Sequence, residues 1–183
     1  MRSKKHFTSY IGLAVALSFA ACQSDFCRVT GTVSGLSDGD TLLLTTDFKN
    51  YNPTDTILVA ENSFQWETVA ADTARLCQIW PLCATQRSAT FFIERGNVRI
   101  SIDSTHSYVA GTRLNDRWQS LNDSVSDYSQ RIDRTIRTLL AAGTPPSIVY
   151  RRVSQLYEEM EKLVASTAER NKDNELGRLL QSH

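Results

Sequence analysis

The chain is poor in the residues that usually build metal and nucleophile sites. Its 183 residues include only three histidines, His6, His106 and His183, and none stands at zinc-ligand spacing from a cysteine. Asp103 and Ser104 precede His106 in a polar run that could hold a nucleophile and a base, but such runs after a strand are typical of turns. We therefore expect no catalytic residue, no metal ion and no other cofactor.

Glycine-rich segments and an excess of one charge are also missing. The eight glycines are scattered at predicted turns, so the chain has no glycine-rich loop that would bind phosphate. The 20 basic residues balance the 20 acidic ones, and neither a basic stripe nor an acidic tail stands out in the linear sequence. This balance argues against nucleic-acid binding and against polybasic adhesion to a membrane.

Cysteine is present, but no pair has the C-x-x-C spacing of a thioredoxin-type site. Beyond Cys22 there are three cysteines, and two interpretations of them stay open. Cys77 and Cys83, with Pro81 between them, could form a disulfide across a turn or act as a reactive thiol pair with Cys27 as a partner. Alternatively, all three are small buried side chains of the core.

A strong targeting pattern occupies the N terminus. Three basic residues precede an apolar run over residues 10–19, which is too short to span a membrane, and Ala20-Ala21 lead into Cys22. The pattern resembles the lipobox of bacterial lipoproteins, with Phe19 where leucine is usual. The resemblance implies that residues 1–21 are cleaved as a signal peptide and that Cys22 is acylated.

This lipid anchor predicts the location of the protein. Several acyl chains on Cys22 would hold it at a membrane of the cell envelope, and we expect the outer membrane of a Gram-negative bacterium. Residues 22–25 would form the lipidated tether. Loss of the three basic leader residues leaves 17 basic against 20 acidic residues in the mature chain.

The next segment, residues 26–111, has the texture of short strands. Apolar and polar residues alternate from Phe26 to Val33, and Glu61-Asn62 and Glu94 to Asn97 are typical of hairpin turns. Seven or eight short strands without helical interruption predict an antiparallel β-sandwich or open barrel.

Residues 112–183 have a helical pattern. Apolar residues recur at steps of three and four from Leu114 to Leu139 and again from Val149 to Leu163. Gly143 suits the end of the first helix, and Thr144 and Pro145 suit the N-cap and first position of the second. The sequence therefore predicts an αα-hairpin, followed by the start of a truncated third helix, and an α+β fold overall.

The best candidate for an exposed binding segment is the polar loop at residues 47–54. It contains Phe48 and Tyr51, and loops carry binding residues more often than strands do. One hypothesis is therefore a surface lipoprotein that binds a glycan or a peptide through this loop.

The whole pattern resembles a known family. The chain is similar to the domain of unknown function that precedes the thioredoxin-like domain in envelope thiol–disulfide oxidoreductases of Gram-negative bacteria. The residues that carry the resemblance are Phe26, Gly31, Gly35, Leu36, Asp38, Gly39, Glu94, Gly96, Val98, Ile100, Gly111, Thr112, Leu114, Asn115, Asn171, Asn174, Leu176 and Gly177.

The resemblance implies an accessory role. In the fuller relatives the redox chemistry resides in a W-C-x-x-C domain, whereas only six residues follow Gly177 here. We therefore expect a non-catalytic envelope lipoprotein that binds or positions a partner, either a thioredoxin-like protein or its substrate. The glycan- or peptide-binding and thiol-active hypotheses stand beside it.

Overall fold

The computed structural model describes residues 25–84 and 87–182, which form eight strands followed by three helices. The predicted signal peptide, Cys22 and nearly all of the tether lie outside the described residues. The strands are β1 (Phe26–Val33), β2 (Thr41–Thr45), β3 (Asp55–Leu58), β4 (Ser63–Val69), β5 (Arg75–Pro81), β6 (Ala89–Ile93), β7 (Gly96–Ile102) and β8 (Ser107–Ala110). The helices are α1 (Arg113–Ala141), α2 (Pro146–Arg170) and α3 (Glu175–Gln181).

The strands form two four-stranded sheets, in the orders β4-β1-β7-β8 and β3-β2-β5-β6. This confirms the predicted α+β fold with a sandwich-like β part, and the described strands do not close into a barrel. One strand pair departs from the predicted antiparallel arrangement, because β1 pairs in parallel with β7. Alternation of side chains cannot distinguish the two directions, since both give the same period of two.

The core lies between the two sheets. Cys27, Val29 and Val33 are buried on one face of β1, as the alternation predicts. The second sheet contributes residues such as Ile79 and Phe91, both 0% exposed. Burial of such side chains stabilises the fold by about 25 cal/mol per Å² of apolar surface.

Two turns adopt the conformations that their sequences favour. Glu61 and Asn62 have φ values of 51° and 56°, which fits a two-residue type I′ turn between Ala60 and Ser63. The expected hairpins are nevertheless wrong, because β3 and β4 on either side of this turn lie in different sheets, and so do β6 and β7. Gly111 has a φ of 108°, and a Cβ there would collide with the carbonyl oxygen of Asn97. The chain therefore turns directly from β8 into α1.

Helices α1 and α2 form the predicted hairpin. The 29 residues of α1 span about 43 Å. Gly143, at φ 69°, ends it, and its amide donates to the Leu140 carbonyl at 3.0 Å. The predicted N-cap at Thr144 is wrong, because α2 begins at Pro146 with an extended Pro145 as its cap. A residue before proline is disfavoured in the helical region, so the second proline sets the start.

Helix α3 packs on the outer face of the second sheet. The Asn174 side chain accepts hydrogen bonds from the amides of Leu176 (3.0 Å) and Gly177 (3.3 Å), which begins the helix. Leu176 is fully buried in a cluster with Phe92 and Leu114. The apolar stripe of α3 thus packs against the sandwich and the start of α1. Among the described residues, no helix has the length and apolar character needed to cross a membrane.

Candidate functional site

The three cysteines within the described residues are free thiols, and two of them belong to the core. Cys27 and Cys77 are 0% exposed, whereas Cys83 is exposed beyond the end of β5. The predicted disulfide between Cys77 and Cys83 is therefore not present. Strand β5 continues through Pro81, which keeps the Cys77 side chain facing inward, away from Cys83.

Burial also makes the two core thiols poor nucleophiles. Loss of hydration raises the pKa of the Cys27 thiol, and it raises the pKa of Cys77 more strongly, with a further upward contribution from the charge of Cys27. Both thiols are protonated at neutral pH, and the thiolate is the reactive form. Cys27 and Cys77 are small core side chains, as one of the two sequence interpretations has it, but that interpretation is wrong for Cys83, which is exposed.

The predicted binding loop brings its two aromatic residues together. The rings of Phe48 and Tyr51 meet edge to face at 6.1 Å. Asp47 holds the loop, since its Oδ1 accepts from the amides of Lys49 (3.0 Å) and Asn50 (3.1 Å). These bonds lower the pKa of Asp47, and the bonds from Asn50 have the largest effect. Tyr51 is 55% exposed and has a φ of 55°, a left-handed conformation that is uncommon for tyrosine.

The polar run around His106 is a turn. Asp103 Oδ1 accepts hydrogen bonds from the backbone amides of Thr105 and His106, each at 2.7 Å. These bonds lower the pKa of Asp103 and direct its carboxylate to the backbone rather than to an imidazole. The imidazole Nδ1 instead lies 2.8 Å from the Thr105 hydroxyl. The arrangement is that of an Asx turn.

The sequence reasoning missed a polar seam at the start of α1. Asn115 is fully buried, and its Oδ1 accepts from the Phe92 amide at 2.7 Å. Its Nδ2 donates to the Phe92 carbonyl (2.8 Å) and to the Thr112 hydroxyl (2.7 Å). The side-chain amide therefore pairs with the free edge of β6 as a neighbouring strand would.

The same helix reaches the edge of the other sheet. The Trp118 indole donates to the Thr90 carbonyl of β6 at 2.9 Å, and Gln119 Oε1 accepts from the Val109 amide of β8 at 2.8 Å. The first two turns of α1 thus cover one open edge of each sheet. The signal for this role was Asn115 and Gln119, polar residues that adjoin the apolar face.

A groove of about 350 Å³ lies between α1 and α2 where the hairpin leaves the sandwich, and we name it the root groove. Its size falls within the range of small-ligand sites. Its lining combines apolar, hydroxyl and charged side chains: Asp116, Arg117, Ser120, Leu121, Ser124, Leu163, Thr167, Arg170 and Asn171.

Both guanidinium groups of the root groove are restrained by neutral partners. Arg117 Nη1 donates to Asn171 Oδ1 at 2.6 Å, and Asn171 is itself buried. Arg170 donates from Nη2 to the Thr167 hydroxyl at 3.2 Å. In the described part of the chain, neither arginine has a carboxylate within 4 Å. Asp116, the carboxylate in the groove lining, accepts a hydrogen bond from the Gly111 amide at 2.8 Å.

This arrangement suits a carboxylate ligand. A held guanidinium offers several N–H donors in a fixed plane, which match the two oxygens of a carboxylate. The sequence did not reveal the groove, because Arg117 and Asn171 are 54 residues apart. A metal site has no comparable basis, since residues 25–84 and 87–182 contain no grouping of three or more histidine, cysteine, aspartate or glutamate side chains that could hold an ion.

Comparison with known proteins gives one match. No curated protein matches the chain. The sequence profile described as "Domain of unknown function (DUF4369)" matches residues 27–118, half of the chain. The matched span includes the eight strands, apart from Phe26 at the start of β1, and the seam residues Asn115 and Trp118. It ends before most of the root groove. The chain therefore belongs to the family of domains of unknown function DUF4369.

Proposed function

We propose that this protein is a non-catalytic binding module that is held at an envelope membrane by a lipid on Cys22. It binds a partner protein by seating an acidic side chain of that partner in the root groove. The observation that carries the proposal is the pair of restrained guanidinium groups, Arg117 and Arg170, beside apolar surface in one groove.

The groove would add affinity and orientation together. A charge-assisted hydrogen bond contributes about 1.5–3 kcal/mol when it is shielded from water. Leu121 and Leu163 would contact the apolar stem of the entering side chain. As partner we propose a thioredoxin-like protein or its substrate, because the sequence resembles the accessory domain of such oxidoreductases.

The state of the thiols supports a role without redox catalysis. Cys27 and Cys77 are buried with raised pKa values, whereas thiol–disulfide exchange requires accessible thiolates. The lipid anchor rests on the leader pattern and on Cys22. Phe26 begins β1 only four residues after Cys22, so the anchored sandwich would lie close to the membrane.

Binding to an acidic peptide tests the groove. The probe is a peptide of alternating glutamate and leucine, compared with the same peptide carrying glutamine for glutamate. We expect the wild-type chain to bind the glutamate peptide, and Arg117→Gln with Arg170→Gln to weaken binding at least tenfold. The matched control is Arg99→Gln with Arg113→Gln, two exposed arginines outside the groove. Equal binding of both peptides, or equal loss in the control, would reject the groove.

Two further measurements test the anchor and the lack of catalysis. Mass spectrometry of the protein from bacterial membranes should find acyl chains on Cys22, and Cys22→Ser should release the protein from the membrane fraction. Insulin reduction by the wild-type chain should not exceed that of a variant with Cys27, Cys77 and Cys83 changed to alanine. An unmodified Cys22 or clear reductase activity would refute the corresponding part.

A second candidate function is glycan or peptide binding through residues 47–54. The observation that favours it is Tyr51, exposed beside Phe48 in a left-handed backbone conformation, because such strained residues cluster at binding sites. A glycan array should then show binding that Tyr51→Ala abolishes and Tyr108→Ala, at an equally exposed tyrosine, preserves.

A further inference from the structure

The distal end of the α1–α2 hairpin is uncharged and partly apolar at its surface. We name residues 138–150 the hairpin apex, and this segment contains no Asp, Glu, Lys or Arg. Three large apolar side chains stand out from it: Leu140 is 57% exposed, Ile148 39% and Tyr150 75%. Elsewhere on the described hairpin only Tyr157 is a large apolar side chain of comparable exposure.

A group of arginines stands directly behind the hairpin apex. Residues 131–152 contain five arginines and one aspartate, a net charge of +4, and all five arginines are exposed. We call them the arginine collar, and they are Arg131, Arg134, Arg137, Arg151 and Arg152. The rest of the hairpin, residues 113–130 and 153–170, carries a net charge of −3. The net positive charge is therefore confined to the distal half of the hairpin. This local excess departs from our expectation, based on the balanced charge of the whole chain, that basic residues provide no membrane adhesion.

The hairpin apex projects clear of the sandwich. Asn115 contacts Phe92 and Trp118 contacts Thr90, so α1 runs along β6 away from the end of the sandwich where Phe26 lies. The last hydrogen bond from α1 to a strand is that of Gln119, and Leu140 lies about 30 Å further along the helix axis. Within the described residues, Leu140, Ile148 and Tyr150 stay exposed at the hairpin apex, whereas Val149 is buried.

We propose that the hairpin apex docks on a lipid surface that contains anionic headgroups. Leu140, Ile148 and Tyr150 would enter the boundary between headgroups and acyl chains, and the arginine collar would contact the phosphates. The order of the layers carries the proposal, because an apolar tip followed by cations matches the order of acyl chains and phosphates in an anionic leaflet. Tyrosine favours the same boundary.

The observations favour lipid over a second copy of the chain. A hairpin that pairs with another hairpin buries an apolar stripe along its length. Here the exposed apolar side chains concentrate at one end, where the positive charge is also highest. The proposal does not rest on the proposed function, since the hairpin apex shares no residue with the root groove.

Hydrogen exchange with vesicles tests this docking. The full chain is mixed with phosphatidylcholine vesicles that contain phosphatidylglycerol, or with phosphatidylcholine alone, and exchange is followed peptide by peptide. Because exchange is measured for each peptide, vesicle contact at the hairpin apex can be distinguished from vesicle contact at the N terminus. We expect slower exchange over residues 138–150 with the anionic vesicles only, and loss of that protection in high salt, which screens the collar.

Matched variants separate the contribution of the apolar side chains at the hairpin apex from that of the arginine collar. Leu140→Asp with Ile148→Asp should abolish the protection, whereas Leu58→Asp, at a 68% exposed leucine on β3, should preserve it. Arg137→Gln with Arg151→Gln should weaken vesicle binding at least tenfold, and Arg99→Gln with Arg113→Gln should not. All these positions are exposed without ion pairs to buried groups, and circular dichroism checks folding.

Three results would overturn the proposal. The first is equal protection with neutral and anionic vesicles, and the second is protection that appears only outside residues 138–150. The third is protection of residues 138–150 that appears without vesicles and grows with protein concentration, which would show that a second copy covers the hairpin apex.

Discussion

At the scale of single residues, Asn115 occupies a buried position that requires one side chain both to accept and to donate hydrogen bonds. It satisfies both backbone groups of Phe92 with one side-chain amide, in a place where water does not reach. An aspartate could not donate to the Phe92 carbonyl, and a leucine could do neither. A buried backbone group that loses its only partner costs about 1–3 kcal/mol.

We therefore predict that Asn115→Ala lowers the free energy of unfolding by about 2–5 kcal/mol, because two buried backbone groups lose their partner. Urea denaturation measures the change. The control is Asn122→Ala, two turns further along α1 at a half-buried position. Similar losses for the two variants would show that Asn115 does not have this special role.

The buried thiols make the free energy of unfolding decrease at alkaline pH. Their pKa values are higher in the folded state than the ordinary value of 9.0 that applies on unfolding. Their contribution to stability is therefore fully present below about pH 9, and it falls as the pH rises above that value.

We predict that the free energy of unfolding of the wild-type chain decreases above pH 9 more steeply than that of Cys77→Ala. The difference in slope approaches about 1.4 kcal/mol per pH unit, the value for one proton. Comparison of the two chains cancels the titration of tyrosines and lysines. The exposed Cys83→Ala variant should keep the wild-type slope, and parallel curves for all three chains would contradict the prediction.

At the scale of elements, α1 depends on the neighbouring turn between β6 and β7 for the hydrogen bonds of its first turn. Thr112 makes no side-chain cap bond to the helix. Instead Glu94, in the turn between β6 and β7, accepts from the amides of Leu114 (2.8 Å) and Asn115 (3.3 Å). A carboxylate at this position also complements the positive end of the helix dipole.

We predict that Glu94→Ala destabilises the protein by about 1–2 kcal/mol, as loss of a good N-cap does. Thermal unfolding measures it. Glu67→Ala is the control, since Glu67 pairs with Arg28 at 2.7 Å on an exposed sheet face, where an ion pair contributes about 0–1 kcal/mol. A larger loss for Glu67→Ala would show that the cap is unimportant.

The elements themselves were readable from the sequence, and their long-range contacts were not. Alternation and helical spacing predicted the eight strands and the hairpin, since each pattern is local. The parallel pairing of β1 with β7 and the Glu94 cap depend on contacts between distant segments. The start of α2 was misplaced by a local effect, the constraint that Pro146 imposes on Pro145.

The candidate sites also differ in whether they depend on local sequence or on long-range packing. The sequence placed Phe48 and Tyr51 in one loop, where the structure also has them. It left a disulfide between Cys77 and Cys83 open as one of two interpretations, because spacing says nothing about which way a side chain faces. The root groove exists only once α1 and α2 pack side by side, so its two arginines carried no signal in the linear sequence.

At the scale of the whole molecule, burial is unevenly distributed. The sandwich has a continuous apolar core, whereas in the hairpin beyond Leu121 and before Leu163 only Ile132 and Val149 are buried apolar residues. Local opening of a segment becomes easier as it buries fewer apolar contacts. The molecule therefore combines a stable body with a less stable arm.

We predict that amides of residues 125–160 exchange with solvent much faster than those of β1 and β7, by at least tenfold in protection factor. Native-state hydrogen exchange of the isolated protein measures this. The first turns of α1, which are bonded to β6 and β8, serve as an internal control and should exchange as slowly as the sandwich. Uniform protection along α1 would contradict the prediction.

The parallel pair of β1 and β7 also affects how fast the protein folds. Thr32 pairs with Ser101, and 69 residues separate them. Contacts between such distant segments slow folding, because the entropy of a long loop is lost before the contact forms. The hairpin contacts are local and can form within microseconds to milliseconds. During synthesis β1 is made first, and it stays without its parallel partner until β7 has also been made. We therefore expect completion of the first sheet to limit the folding rate.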